Sequence, residues 1–335
     1  ALFFLLLNVL LIFSVGDLRG HHFSPHILAL VHTASLGWGT MIIFGAAYQL
    51  MPVICEKSLY SEGLAVMSWW LLTPGTLLLI YSFWIFNTGL MLITGGLLVW
   101  FSSLLFLWNV IGTLTGGKTW TIPKSFLLSS AIWFFITVSI GVLLSVNLYF
   151  PFIPKDHLEI LKLHAHAGLA GWFLQMITGV SSRLIPMFLL GKSHREKYLN
   201  ISLYLQNAGL VMFLTDGYFY GVTLRSLFYA VLITAGIIVW ILFLIDTFRN
   251  RVKKKIDFPM KHSLLSFMSL LLGIITIIPV YFFSGTQWTM LYGFLLFAGW
   301  ITGIILGKTF KTLPFIIWNK HYQSLHGKRK IPMPK

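Results

Sequence analysis

The chain alternates long apolar segments with short polar connections. Each apolar segment has roughly 17–30 residues, which lets a helix cross a hydrocarbon core of about 30 Å. The predicted helices cover residues 1–16, 26–53, 64–86, 89–112, 126–149, 158–189, 199–221, 224–248, 262–284 and 287–318. The pattern therefore predicts an all-α polytopic membrane protein with about ten transmembrane helices. Residues 1–16 lack a basic n-region and a small-residue cleavage site, so we expect a helix there and not a signal peptide.

One motif occurs three times along these helices. It contains a histidine, a Gly-Trp pair, a further glycine and a proline. The first copy is His32, Gly37, Trp38, Gly45 and Pro52. The second copy, 134 residues later, is His166, Gly171, Trp172, Gly179 and Pro186. The third copy, 128 residues further on, is Gly299, Trp300, Gly307 and Pro314, with Phe294 at the histidine position.

A self-match at fixed spacing predicts an internal repeat, here of four helices per unit. The repeat units cover about 1–120, 121–255 and 256–335, and the third contains only two helices. Because no linker rich in Ser, Gly or Pro separates them, we expect a single membrane domain over residues 1–335. Each histidine precedes its proline by 20 residues, about 30 Å of helix. The histidines are therefore predicted near one edge of the membrane and the prolines near the other.

Charge predicts the orientation of the helices. The formal net charge is +15. Counted with the adjoining helix ends, the C-terminal tail and the connections that follow even-numbered helices hold 20 of the 24 Lys and Arg residues. Positively charged connections stay in the cytoplasm, so these connections and the N-terminus are predicted to face the cytoplasm. The basic charge then serves as a membrane anchor near anionic headgroups, most densely at 249–255. No nucleic-acid partner is expected.

The candidate chemistry lies in the histidines. Seven of the eleven fall at the predicted outer side: His21, His22, His26, His32, His157, His164 and His166. An ionisable residue inside a membrane helix is costly and indicates a functional site. Neutral imidazole is an axial ligand of haem iron and a good copper ligand.

Four of these histidines are the predicted ligands. His32, His164 and His166 are the candidates for cofactor binding, and His26 is a further candidate for a metal. Residues two apart on a helix point about 200° apart, so His164 and His166 are predicted to face two pockets. His166 is the preferred partner of His32 because the two are repeat equivalents. The alternative is that each histidine only donates a hydrogen bond to a carbonyl of a neighbouring helix.

Acidic residues near the same side have two interpretations. Asp156, Glu159 and Asp216 either pair with Lys162 or line a proton path. The single cysteine, Cys55, excludes an intrachain disulfide and a thiolate metal cluster.

Three four-helix units with histidines on the second helices resemble subunit I of haem–copper oxidases and nitric oxide reductases. Two stretches carry the resemblance: LVHTASLGWGTMIIFGAAYQLMP and LHAHAGLAGWFLQMITGVSSRLIP. The chain is also similar in style to the NnrS-type membrane proteins linked to nitric oxide stress. The resemblance implies a bacterial inner-membrane protein with b-type haem, or copper, and respiratory partner subunits. His32 matches a low-spin haem ligand of the family, and His164 or His166 matches a copper ligand.

The chain also departs from that family. The oxidases carry an H-x-H on helix 10 and a histidine pair on helix 7, whereas this chain has Phe294 on the former and no histidine on the latter. The resemblance thus implies a haem- or copper-binding protein for electron transfer or for gas ligands (NO or O2), without the full oxidase centre. Two alternatives remain open: a non-catalytic scaffold subunit of a larger respiratory complex, and a transporter.

Overall fold

The computed structural model describes residues 1–116, 119–283 and 285–322. The described residues form ten long helical segments and a short 3-10 helix, Asp17–Arg19. They contain no β-strand, only one isolated bridge between Gly191 and Arg251. The helices are α1 (Leu2–Phe13), α2 (Pro25–Cys55), α3 (Glu62–Trp84), α4 (Leu90–Thr115), α5 (Ile122–Tyr149), α6 (157–189), α7 (Lys197–Tyr220), α8 (Ser226–Arg249), α9 (Phe258–Phe282) and α10 (Thr286–Tyr322). The predicted all-α polytopic fold is confirmed, with a helix at each predicted segment.

Seven of these helices are long and apolar enough to cross a membrane: α2, α3, α4, α5, α8, α9 and α10. Helix α1 is apolar but has only 12 residues. Helices α6 and α7 are long enough to cross a membrane, but they are not among these seven. The C-terminal basic tail, with His326 and the basic residues after Tyr322, lies outside the described residues.

Side-chain caps and prolines set where several helices begin. The Ser24 hydroxyl accepts a hydrogen bond from Ile27 N, and Pro25 follows it at the first helical position. The carboxylate of Asp156 accepts from the backbone N–H groups of Leu158 and Glu159 at the start of α6. These contacts satisfy backbone donors that an α-helix leaves unpaired in its first turn.

The chain divides into two compact units, Ala1–Lys253 and Lys254–Lys335. The first contains α1 to α8, which are the first two predicted repeats, and the second contains α9 and α10. The boundary lies within two residues of the predicted end of the second repeat.

The second helix of each repeat contains a π-helical segment at the same motif position. These segments are Thr33–Thr40, Ala167–Phe173 and Leu295–Ile301, and each directly follows the position of the motif histidine. A π-helix widens the turn by one residue and is common at functional sites. Helices α2 and α6 also end alike, because Glu56 and Leu190, at equivalent positions, both adopt left-handed backbone conformations with φ of 53° and 48°.

The motif glycines allow the first and second helices of a repeat to approach closely. A Cβ added at Gly37 would lie 2.4 Å from the Phe3 ring of α1, and one at Gly171 would lie 2.6 Å from Trp133 of α5. In the second unit, a Cβ at Gly299 would lie 2.6 Å from the Ser269 side chain of α9. In all three repeats, the glycine of the Gly-Trp pair therefore packs directly against the first helix of the repeat.

An aromatic cluster forms the core where α2 and α6 meet α4 and α5. Phe44 stacks on Phe106 with ring centroids 4.2 Å apart, and Phe134 lies 4.6 Å from Trp172. Trp172 Nε1 also donates to Thr40 Oγ1 at 3.0 Å, which ties α6 to the π segment of α2. The cluster is buried and holds the two histidine-bearing helices at a fixed separation.

Candidate metal centre

His32 and His164 are the two predicted ligands that the structure brings together. Their ring centroids lie 6.4 Å apart and their planes differ by 19°. His32 is the last residue of α2 before its π segment, and His164 lies two residues before the equivalent point of α6. The site therefore lies between α2 and α6 at the end of the bundle where these helices begin, which we call the histidine end.

Each ring of this pair is fixed through its Nδ1 atom. His32 Nδ1 donates to the carbonyl oxygen of Leu28 at 2.8 Å, and His164 Nδ1 donates to the carbonyl oxygen of Thr137 at 2.9 Å. A backbone acceptor at Nδ1 fixes the tautomer and leaves Nε2 as a neutral donor atom for a metal.

The walls around the two rings come from α3 and α5. The Phe83 ring lies 4.7 Å from His32 at an interplanar angle of 30°. On the other side, Gly141 leaves room for His164, since a Cβ there would lie 2.9 Å from His164 Cε1. The sequence did not single out Phe83, Thr137 or Gly141, because nothing along the chain shows which positions of α3 and α5 face the histidines.

His166 has different surroundings from its neighbour His164. Its Nδ1 donates to the carbonyl oxygen of Lys162 at 2.8 Å, the same contact within its own helix that His32 makes with Leu28. Its ring packs on Phe213 of α7 at 5.0 Å. His164 and His166 thus face different helices, α5 and α7, as the spacing of two residues predicts. The ring next to His32 is that of His164, although the repeat favoured His166.

His26 lies at the start of α2 in an ion-pair geometry. Its Nδ1 is 2.6 Å from Asp17 Oδ2, and its ring lies 4.2 Å from Trp84. The sequence also allowed each histidine simply to donate a hydrogen bond to a carbonyl of a neighbouring helix. His164 makes such a bond, to Thr137 of α5. His32 and His166 bond carbonyls of their own helix.

The connection before α2 contributes two further histidines at the histidine end. The rings of His21 and His22 lie 4.1 Å apart. Partial burial, and then the nearby His21 and Lys162, lower the pKa of His22. This favours the neutral, metal-binding form of the imidazole.

The acidic residues near this end have separate partners. Glu159 pairs with Lys162 at 2.5 Å, as one of the two interpretations of the sequence predicts, and its second oxygen accepts from Val222 N at 2.8 Å. Asp216 lies 3.5 Å from Arg225, not beside Lys162. Among the described residues, no group of three or more His, Cys, Asp or Glu side chains is arranged to hold a metal ion.

Comparison with known proteins gives a partial likeness. No protein-family model matches the chain. It is 38% identical over 65 residues, 19% of its length, to a Cbb3-type cytochrome c oxidase subunit CcoN1 of Stutzerimonas stutzeri, of which the match covers 14%. It is also 38% identical over 71 residues, 21% of its length, to cytochrome c oxidase subunit 1 of Rhodobacter capsulatus, of which the match covers 13%. The chain is thus a multi-pass membrane protein with local similarity to subunit I of haem–copper oxidases.

Proposed function

We propose that the chain is a membrane haem-binding protein for electron transfer or gas binding, in which His32 and His164 would hold one b-type haem. The observation that supports this is the pair of parallel imidazoles 6.4 Å apart, each fixed through Nδ1. The local similarity to oxidase subunit I agrees with a respiratory setting in a bacterial inner membrane, with other respiratory subunits as partners.

The spacing of the rings has the size expected if both imidazoles held one metal. A metal–nitrogen bond of about 2.0–2.1 Å on each side, together with the two ring radii, puts the centroids about 6 Å apart. The distance of 6.4 Å between His32 and His164 has this size. Gly141 and Phe83 bound the rings without adding a competing polar group.

The number of ligands favours haem over copper. Haem iron needs only two axial ligands from the protein, because the macrocycle supplies the other four. Copper sites in proteins commonly use three or more side chains, and the described residues offer no such group. A haem held by these two imidazoles would supply one-electron transfer or a binding site for a gas.

The proposal is tested by the optical spectrum and haem content of the purified chain and of three variants. His32→Ala and His164→Ala should each abolish the haem absorbance, because either change removes one of the two residues that would hold the haem. His166→Ala is the matched control: it removes the neighbouring histidine of the same helix, whose ring packs on Phe213, and it should keep the haem. Pyridine haemochrome spectra then identify the haem type.

Two results would contradict the proposal. Loss of haem in His166→Ala with retention in His164→Ala would restore the repeat-matched pair as ligands. Absence of both iron and copper from the folded wild-type chain would remove the metal function and favour a scaffold subunit.

A further inference from the structure

A second polar feature lies between α7 and α8 at the histidine end. An open cavity of about 430 Å³ is lined by Met212, Thr215, Asp216, Phe219, Tyr220, Phe228 and Tyr229. Its size falls within the roughly 300–1,000 Å³ typical of ligand sites. Most of the lining is aromatic or apolar, and Asp216 provides the only charge in it.

The lining follows from the helical periodicity of α7. Met212, Thr215, Asp216 and Phe219 are spaced three or four residues apart and so occupy one face of that helix. Phe228 and Tyr229 come from the first turn of α8, so the cavity is a groove between the end of one helix and the start of the next. At a helix end near the membrane surface, tyrosines and other aromatic residues typically lie at the level of the lipid headgroups.

Only one oxygen of the Asp216 carboxylate lies near a cation. Its side chain is 12% exposed, and Oδ1 lies 3.5 Å from Arg225 Nη1. Oδ2 is shielded from solvent and has no hydrogen-bond partner among the described residues. A shielded carboxylate oxygen without a donor costs free energy. A donor that enters the groove from the membrane would satisfy it.

A cation lies beside this anion. The Arg225 side chain is 53% exposed, and its guanidinium rests 4.7 Å from the centre of the Tyr220 ring. Its five N–H donors form a planar fork that suits a phosphate. The groove therefore presents an acceptor without a partner, an exposed phosphate-binding group and an apolar wall within one helix turn of each other.

We propose that this groove binds a zwitterionic phospholipid with a primary ammonium, of the phosphatidylethanolamine type. The ammonium pairs with the Asp216 carboxylate, the phosphate contacts Arg225, and an acyl chain lies against Phe219, Phe228 and Met212. Phosphatidylcholine fits less well because its quaternary nitrogen has no N–H to donate. Phosphatidylglycerol fits less well because it offers the carboxylate no cation.

The test is native mass spectrometry of the detergent-purified chain with palmitoyl-oleoyl phosphatidylethanolamine, phosphatidylcholine and phosphatidylglycerol. The wild type should bind phosphatidylethanolamine about tenfold more tightly than phosphatidylcholine, the size expected of one charge-assisted hydrogen bond. Asp216→Asn should abolish this preference, so that the two lipids bind about equally well. Asp17→Asn is the matched control, since Asp17 is another outer-side carboxylate with a single basic partner, His26, and it should keep the preference.

A second measurement needs no variant. Stepwise N-methylation of phosphatidylethanolamine removes one N–H donor at a time, and affinity for the wild type should fall most at the last methyl group. Equal binding across that series would overturn the proposal. So would an unchanged preference in folded Asp216→Asn, or a preference for phosphatidylglycerol, which would make Arg225 an anionic-lipid site without Asp216.

Discussion

At the scale of single residues, the candidate ligands could be found from the sequence but their pairing could not. His32, His164 and His166 stand out because they are ionisable residues in apolar helices. The repeat then favoured His32 with His166. Copies related by a rotation other than twofold contact each other through non-equivalent residues. The contacts of His32 with His164 and of Trp172 with Thr40 join non-equivalent residues in this way.

The fit of His164 depends on the absence of a side chain at Gly141. Gly141→Ala would place a Cβ 2.9 Å from His164 Cε1 and so displace the ring. We expect reduced haem retention with every histidine still present, measured as the ratio of Soret to protein absorbance. Gly293→Ala is the control, because a Cβ there meets nothing within 4 Å among the described residues. Equal haem content in Gly141→Ala and the wild type would argue against His164 as a ligand.

The hydrogen bond between Trp172 and Thr40 tests how the two histidine-bearing helices are joined. Thr40→Val keeps the shape of the side chain but leaves Trp172 Nε1, which is buried, without its acceptor. We expect a loss of about 0.6–2 kcal/mol in the free energy of unfolding, the range for membrane-buried polar contacts. Thermal unfolding in detergent measures it. A double-mutant cycle with Trp172→Phe should give a clear coupling energy, and strictly additive effects would show that the bond contributes nothing.

At the scale of helices, the sequence predicted position and length well but missed the π segments. Apolar runs mark where helices lie, and each predicted segment is helical. A π segment contains the same residue types as an α-helix, so hydrophobic periodicity does not reveal it. It changes the direction in which every preceding side chain points, because one added residue rotates the helix by about 100°.

This rotation leads to a prediction for α2. Deletion of Ser35 from the segment Thr33–Thr40 should restore regular α-helix and turn His32 away from His164. Haem absorbance should then be lost although both ligands remain in the chain. The same deletion at Phe297, within Leu295–Ile301 of the second unit, is the control and should leave the spectrum unchanged. A normal spectrum after the Ser35 deletion would show that the π segment does not position the ligand.

Close packing of the first and second helices of a repeat gives another prediction at this scale. Gly171→Ala would drive a Cβ to 2.6 Å from Trp133, and overpacking of this kind costs about 1–3 kcal/mol. We expect a lower unfolding temperature in detergent. Gly293→Ala again serves as the control, since the equivalent positions of the other repeats already carry side chains, as Val31 and Ala165. Equal unfolding temperatures for the two variants would show that close packing of α5 against α6 does not require a glycine at position 171.

At the scale of the whole molecule, the distribution of charge predicts an orientation that helix packing alone does not determine. Helix α7 shows the asymmetry most clearly. The connection before it carries Lys192 and Arg195, whereas the connection after it carries only Arg225, which already lies beside Asp216. With 24 residues, α7 is about 36 Å long. If α7 crosses the membrane as the sequence predicts, this length places its two ends at opposite surfaces, with the positive end in the cytoplasm.

Cysteine labelling of the two connections around α7 tests this orientation directly. In a Cys55→Ser background, Thr223→Cys should react with a membrane-impermeant maleimide in intact cells, because that connection is predicted to face outward. Glu196→Cys should react only after permeabilisation. Both native side chains are exposed, so reactivity reports the side of the membrane and not burial. The opposite labelling pattern would place the His32–His164 pair at the cytoplasmic surface, where a haem would exchange electrons with cytoplasmic instead of external partners.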